Sequence, residues 1–188
     1  MKLVLQWYLQ PRNRKRLQGK SKMKETNTLK KAIFFLPIAF SIHNLEEVLT
    51  VGNLQIVTNK HFHHTDAQFQ IAVLLFSIVG FMVVFLRNLY TSEDAYLRVI
   101  VWFAGMILLN VFIPHLLIAI ITRSYTPGLA SAILINLPLV TTILKKIKKI
   151  EKIPTKRLLL DILSGGGIGL ALVFLFLMTG KLIVVAFL

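Results

Sequence analysis

The chain contains no cysteine, which excludes disulfides, thiolate metal ligands and a cysteine nucleophile. Acidic residues are scarce, eight Asp and Glu against 22 Lys and Arg in 188 residues. Charged residues of both signs make up only 16% of the chain and hydrophobic ones 55%. A soluble domain of this length needs more polar surface than that. A basic excess suggests nucleic acid, so the position of the charges matters. Ten of the basic residues fall between Lys2 and Lys31 and seven more between Lys145 and Arg157, with little charge between the clusters. No aromatic-rich basic motif of a nucleic-acid fold accompanies them. The distribution is that of a multi-pass membrane protein with basic cytoplasmic ends and loops, with the lipid bilayer and not nucleic acid as its partner.

A bilayer core of about 30 Å needs roughly 20 apolar residues in helix. Five segments meet this, giving an all-α transmembrane bundle: about 32–51, 69–86, 97–121, 129–144 (interrupted by Pro138) and 158 to the end (interrupted by Gly180 and Lys181). The connections alternate in Lys and Arg content: rich, then Lys60 alone, then Arg87 and Arg98, then Arg123 alone, then the cluster of seven. Five spans in the cell membrane with a cytoplasmic N-terminus give this alternation. The expected organisation is a basic arm over 1–31, a four-span bundle over 32–144, a basic cytoplasmic loop over 145–157 and a last span over 158–188. Met23 reads as an alternative start, which would make the first 22 residues an artefact of start-site choice. The run "KKAIFFLPIAFS" also resembles a signal peptide with Ala39-Phe40-Ser41 at its cleavage site, but a retained first span gives the later pattern its sense.

Inside the first span, "SIHNLEEVLT" places His43, Glu46 and Glu47 at helical spacings of three and four, on one face, with Asn44 turned away. Ionisable groups in a bilayer are costly and face a protein interior or a wet cavity. The third span carries Asn110 and His115 in "LLNVFIPHLL". Pro114 cannot donate to the carbonyl of Asn110, so a kink is expected there that re-aims His115. At 1.5 Å per residue, His43 to Glu47 lie roughly 16–22 Å into the membrane and Asn110 to His115 roughly 20–27 Å, both in the outer half. His61, His63 and His64 in "NKHFHHTD" fall on the same side and read as a solvated loop.

A His and a Glu one turn apart, facing a second His, can build a Zn or Fe site with N and O ligands. His43, Glu47 and His115 are the expected ligands, with Glu46 left as base and Asn110 to orient substrate or ligand. A bound metal would lower the pKa of its water and polarise a carbonyl or phosphoryl oxygen. Without metal, a desolvated Glu and a nearby His allow acid/base chemistry. The spacing is neither HExxH nor the ExxH pair of di-iron bundles. A purely structural network is the bland alternative. Polar side chains join membrane helices at only about 0.6 kcal/mol each, which Ser or Asn would supply without carboxylates.

Other features are weaker. "YTPGLAS" opens the fourth span with Pro127 preset for a helix start, and its free amides with Tyr125 could hold an anionic headgroup. "SGGGIG" lacks the Lys-Ser/Thr of a phosphate loop, and Gly165 and Gly169 read as close helix packing. Ser131 and Asn136 either line the cavity or bond within the bundle.

"HNLEE", with Asn110 and His115 in a later span and the Pro127-Gly128 turn after it, resembles the HXXEE domain family of small bacterial multi-span membrane proteins. The resemblance covers about residues 32–144 and implies that His43, Glu46 and Glu47 are signature positions; it implies no activity. The residues themselves suggest a membrane enzyme, a metal-dependent hydrolase or acyl transferase acting on a lipid or amphiphile, with His43, Glu46, Glu47, Asn110 and His115 at its centre. Two other classes use the same residues: a cation- or proton-binding transport module, and a non-catalytic interaction or immunity protein. The absence of ionisable residues expected in the inner halves of the spans weighs against a full proton path.

Overall fold

Five long helices carry most of the described chain. In a computed structural model, the structure describes residues 2–50 and 66–187, with side chains over 23–50 and 67–187. The helices are α1 (Lys2–Thr50), α2 (Asp66–Phe85), α3 (Glu93–Thr122), α4 (Leu129–Ile150) and α5 (Thr155–Phe187). No strand occurs among the described residues. Each helix holds a segment long and apolar enough to cross a membrane, that of α1 being Met23–Thr50. His61, His63 and His64 lie outside the described residues.

The helices pack in a ring: α1 against α2, α2 against α5, α5 against α3, α3 against α4, and α4 back onto α1. Leu36, Ile100, Ile107, Val140, Ile143 and Ile147 fill its centre and are almost wholly buried. Phe40 meets Phe103 edge to face with centroids 5.4 Å apart, an aromatic geometry that favours one crossing. Around the rim Leu159, Leu163, Leu170 and Phe174 of α5 stay exposed, as lipid-facing residues do. In lipid the hydrophobic effect does not hold helices together, so close backbone approach must. Gly165 supplies it, since a Cβ there would sit 2.1 Å from the carbonyl oxygen of Trp102. One turn on, a Cβ at Gly169 would fall 2.2 Å from Met106 Cγ, so the α3–α5 seam uses both glycines.

Two helices are broken, and both breaks come at proline. In α3 the regular helix ends at Asn110 and the chain widens over Val111–Leu116, with Ile113 in extended backbone (φ −133°, ψ 111°) before it resumes to Thr122. Pro114 has no N–H to return to Asn110 and forbids helical geometry in the residue before it. In α4 a wide turn over Ala132–Asn136 precedes Pro138. Regular helix then continues through Lys145, Lys146, Lys148 and Lys149 to Ile150, because Ile143, Leu144 and Ile147 still have a core to bury against. The basic run is thus largely helical, and Lys149 pairs with Glu25 of α1 at 2.6 Å.

A second polar group lies within the spans. Asp161, on the second turn of α5, accepts from Trp102 Nε1 at 3.2 Å and has Arg157 Nε at 4.0 Å. The expectation that ionisable residues avoid this half of the bundle is therefore corrected. α5 starts at Thr155, and Asp161 is drawn in because the α3–α5 seam provides an indole donor.

Candidate functional site

The α1–α3–α4 junction near the α3–α4 turn brings together polar residues from three spans. His43 lies seven residues before Thr50, the end of α1, and His115 seven before Thr122, the end of α3. The equal depth expected from residue counting becomes contact: the two imidazoles meet edge to face with centroids 4.7 Å apart. Both are buried, with His43 1% exposed and His115 4%. Asn44 points elsewhere, donating to Ser77 Oγ of α2 at 2.9 Å.

His43 Nδ1 lies 3.0 Å from the Gly128 carbonyl and 3.1 Å from Ser131 Oγ. A carbonyl only accepts, so Nδ1 carries the proton and Nε2 presents its lone pair. That lone pair faces Glu47 Oε1 at 3.5 Å, and His115 Nε2 faces the same oxygen at 3.0 Å. One atom of each of the three residues lies within 4.8 Å of the others. Ligand bonds of 2.0–2.2 Å around tetrahedral zinc put ligand atoms about 3.4 Å apart, which the 3.5 and 3.0 Å spacings to Glu47 Oε1 suit. The outer contacts suit it too. A metal-bound His donates its other ring N–H to a carbonyl or carboxylate, as His43 does to Gly128. His115 is held through its backbone, its carbonyl accepting from Thr126 Oγ1 at 3.0 Å.

Asn110 completes the arrangement. Its Nδ2 lies 3.2 Å from His43 Nε2 and 3.0 Å from His115 Nε2, so one amide hydrogen faces each ring. The two ring nitrogens therefore share one amide group and one carboxylate oxygen. A converging set of lone pairs with a carboxylate is a place for a cation.

Gly128 makes this packing possible. Its φ is +78°, a left-handed conformation at the N-cap of α4. A Cβ there would stand 2.7 Å from both Glu47 Cγ and His43 Cε1, and 3.1 Å from His115 Cε1. All three candidate ligands lean on the bare face of one glycine.

Glu46 is placed differently from the base role expected of it. Its Oε2 accepts from Ser131 N–H at 2.7 Å, and its Oε1 from Ala130 N–H at 3.1 Å and from the Tyr125 hydroxyl. The amides of Ala130 and Ser131 are thereby occupied by Glu46, so "YTPGLAS" is a plain helix entry, the stronger of its two readings, rather than a holder of anionic headgroups. Burial, and then the hydrogen bond to Glu46, hold the Tyr125 phenol above its ordinary pKa. Ser131, one of the two residues read as lining the cavity or bonding within the bundle, contacts His43 directly, and Thr126, which sequence reading did not select, holds the His115 carbonyl; its signal was only its place beside the Pro-Gly turn. Asn136 does not join them, its buried amide having no protein partner.

The family model described as "Protein of unknown function with HXXEE motif" matches residues 34–143. This chain belongs to the HXXEE family. His43, Glu46 and Glu47 are the H, E and E of the motif as it stands here, and the matched segment ends within α4, after the whole site. The chain is 25% identical over 149 residues to the "Uncharacterized protein YrkK" of Bacillus subtilis (strain 168), covering 79% of this chain and 94% of that protein. No solved structure matches.

Proposed function

We propose that the chain is a multi-pass membrane metalloenzyme, a hydrolase or acyl transferase, whose centre lies in the outer half of the cell membrane and acts on a lipid or amphiphile. The convergence of His43 Nε2, His115 Nε2 and Glu47 Oε1 on one point carries the reading. These three residues would hold a divalent cation such as Zn or Fe, which when bound supplies a Lewis acid and an activated water. His43 is oriented by Gly128 and Ser131, and His115 by Thr126. Asn110 can exchange donor for acceptor by rotating its amide half a turn, so it can orient either a substrate carbonyl or a ligand water. The N-terminus is cytoplasmic in this reading, which puts Lys145 to Arg157 on the inner face.

A proton- or cation-transport module is the second reading, since the same lone pairs bind a proton. Asp161 offers it a second polar station through its Trp102 contact. Trp102 and Asn110 are eight residues apart on α3, about 12 Å of helix with only apolar side chains between them, and this gap favours the enzyme. The test is metal-supplemented protein in vesicles of mixed phospholipids, monitored for released fatty acid and water-soluble headgroup. Turnover in wild type and none in Glu47→Gln is expected. Equal turnover in both would remove Glu47 from the chemistry, and cation flux without turnover would select transport.

A further inference from the structure

The two glutamates of the motif are neighbours with different targets. Adjacent helical residues point about 100° apart, so one turn of α1 reaches two places. Glu47 faces the imidazoles and Glu46 faces the first turn of α4. That turn has no side-chain cap of its own, because its N-cap is Gly128. Leu129 N–H finds Thr126 O at 3.1 Å and Ala132 N–H finds Gly128 O at 2.9 Å. The amides of Ala130 and Ser131 remain, and Glu46 accepts from both. A carboxylate from another helix thus does what an Asp or Ser cap does within one, with the added strength of a charged acceptor.

The same few residues hold the imidazoles. The Gly128 carbonyl fixes the proton of His43 on Nδ1, Ser131 shares that contact, and Thr126 holds the His115 backbone. Glu46 grips this turn on both sides, through Tyr125 before it and through Ala130 and Ser131 after Gly128. We infer that Glu46 is a positioning residue: it fixes the start of α4 so that the Gly128 carbonyl keeps His43 as the Nδ1–H tautomer, with Nε2 free for a cation. The consequence for metal rests on the proposed metal centre; the effect on the tautomer does not. The first glutamate of the motif then sets the protonation geometry of the histidine, and the second supplies charge beside it.

The test uses full-length protein in nanodiscs with nitrogen-labelled histidine, as wild type, Glu46→Gln, Glu46→Asp, Tyr125→Phe and Glu47→Gln. Histidine nitrogen NMR reads the His43 tautomer, assigned by His43→Ala, and chelator competition reads Zn2+ affinity. Wild type should hold the Nδ1–H form. Glu46→Gln, which trades one acceptor oxygen for a donor, should mix the tautomers and weaken Zn2+ about 10–100-fold, the usual cost of losing an outer partner, with the same site count at saturation. Glu46→Asp should restore part of both, and Tyr125→Phe should shift both by a few fold. An unchanged tautomer in Glu46→Gln overturns the inference. So does complete loss of saturable Zn2+ binding, which would make Glu46 a ligand like Glu47. If wild type binds no Zn2+ yet the tautomer mixes in Glu46→Gln, the positioning role stands and the metal centre falls. Should Glu46→Gln fail to fold, an unchanged tautomer in Tyr125→Phe overturns the inference in its place.

Discussion

Two carboxylate-bearing groups sit on the described bundle, one toward each end of α3, and they are balanced in different ways. At the α4–α5 end, Asp161 has an indole N–H at 3.2 Å and the Arg157 guanidinium at 4.0 Å. Its lone pairs meet donors and its charge meets an opposite charge. At the α3–α4 end, two imidazole nitrogens share one Glu47 oxygen and the amide of Asn110. Ionisable residues within a membrane are candidates for function, and only the second group brings a carboxylate and two imidazoles from separate helices to one point. The difference between the groups is the physical basis for placing function at the second.

Exchanging the carboxylates for neutral isosteres sharpens the contrast most. Glu47→Gln should weaken divalent metal more than about 100-fold, beyond the cost of an outer partner, with little change in the stability of the metal-free bundle, because Gln keeps a side-chain oxygen for the two imidazoles. Asp161→Leu should do the reverse, leaving metal affinity unchanged and lowering thermal stability as Trp102 and Arg157 lose their partner. Paired metal titrations and melting curves would show it, and matching behaviour of the two variants would erase the distinction.

The glycines extend the comparison to backbone. Gly165→Ala drives a Cβ into the Trp102 carbonyl, which cannot yield without parting α3 from α5, at a cost of about 3 kcal/mol; chemical denaturation of nanodisc-embedded protein should show it with metal affinity retained once folded. Gly128→Ala adds a side chain at φ +78° among the three candidate ligands, a strain of about 1–2 kcal/mol. It should weaken metal more than it lowers melting temperature, whereas a pure stability loss would mean that the glycine serves only the turn. Trp102→Phe has the smallest expected effect, about 1 kcal/mol for one hydrogen bond, visible in melting and absent from metal binding.

Much of this was legible in the chain. Five apolar runs become five helices, and the depth of His43, Asn110 and His115, counted from the ends of their runs, becomes contact at 4.7 Å. Gly165 and Gly169 mark the seam they suggested. Helical periodicity could not divide labour between Glu46 and Glu47, because residues three and four from His43 share its face and only the position of α4 decides which reaches the imidazoles. Charge counting ended the fourth span near Leu144, whereas lysines project from a helix whose other face is still buried to Ile147. Asp161 escaped notice because its partner, Trp102, is remote in sequence.

Elemental analysis of purified wild-type protein beside His43→Ala and His115→Ala tests the central claim most directly. Near-stoichiometric zinc or iron in wild type, absent from both variants, is the expected result. Folded wild-type protein that holds no divalent metal and takes none up on titration would contradict it.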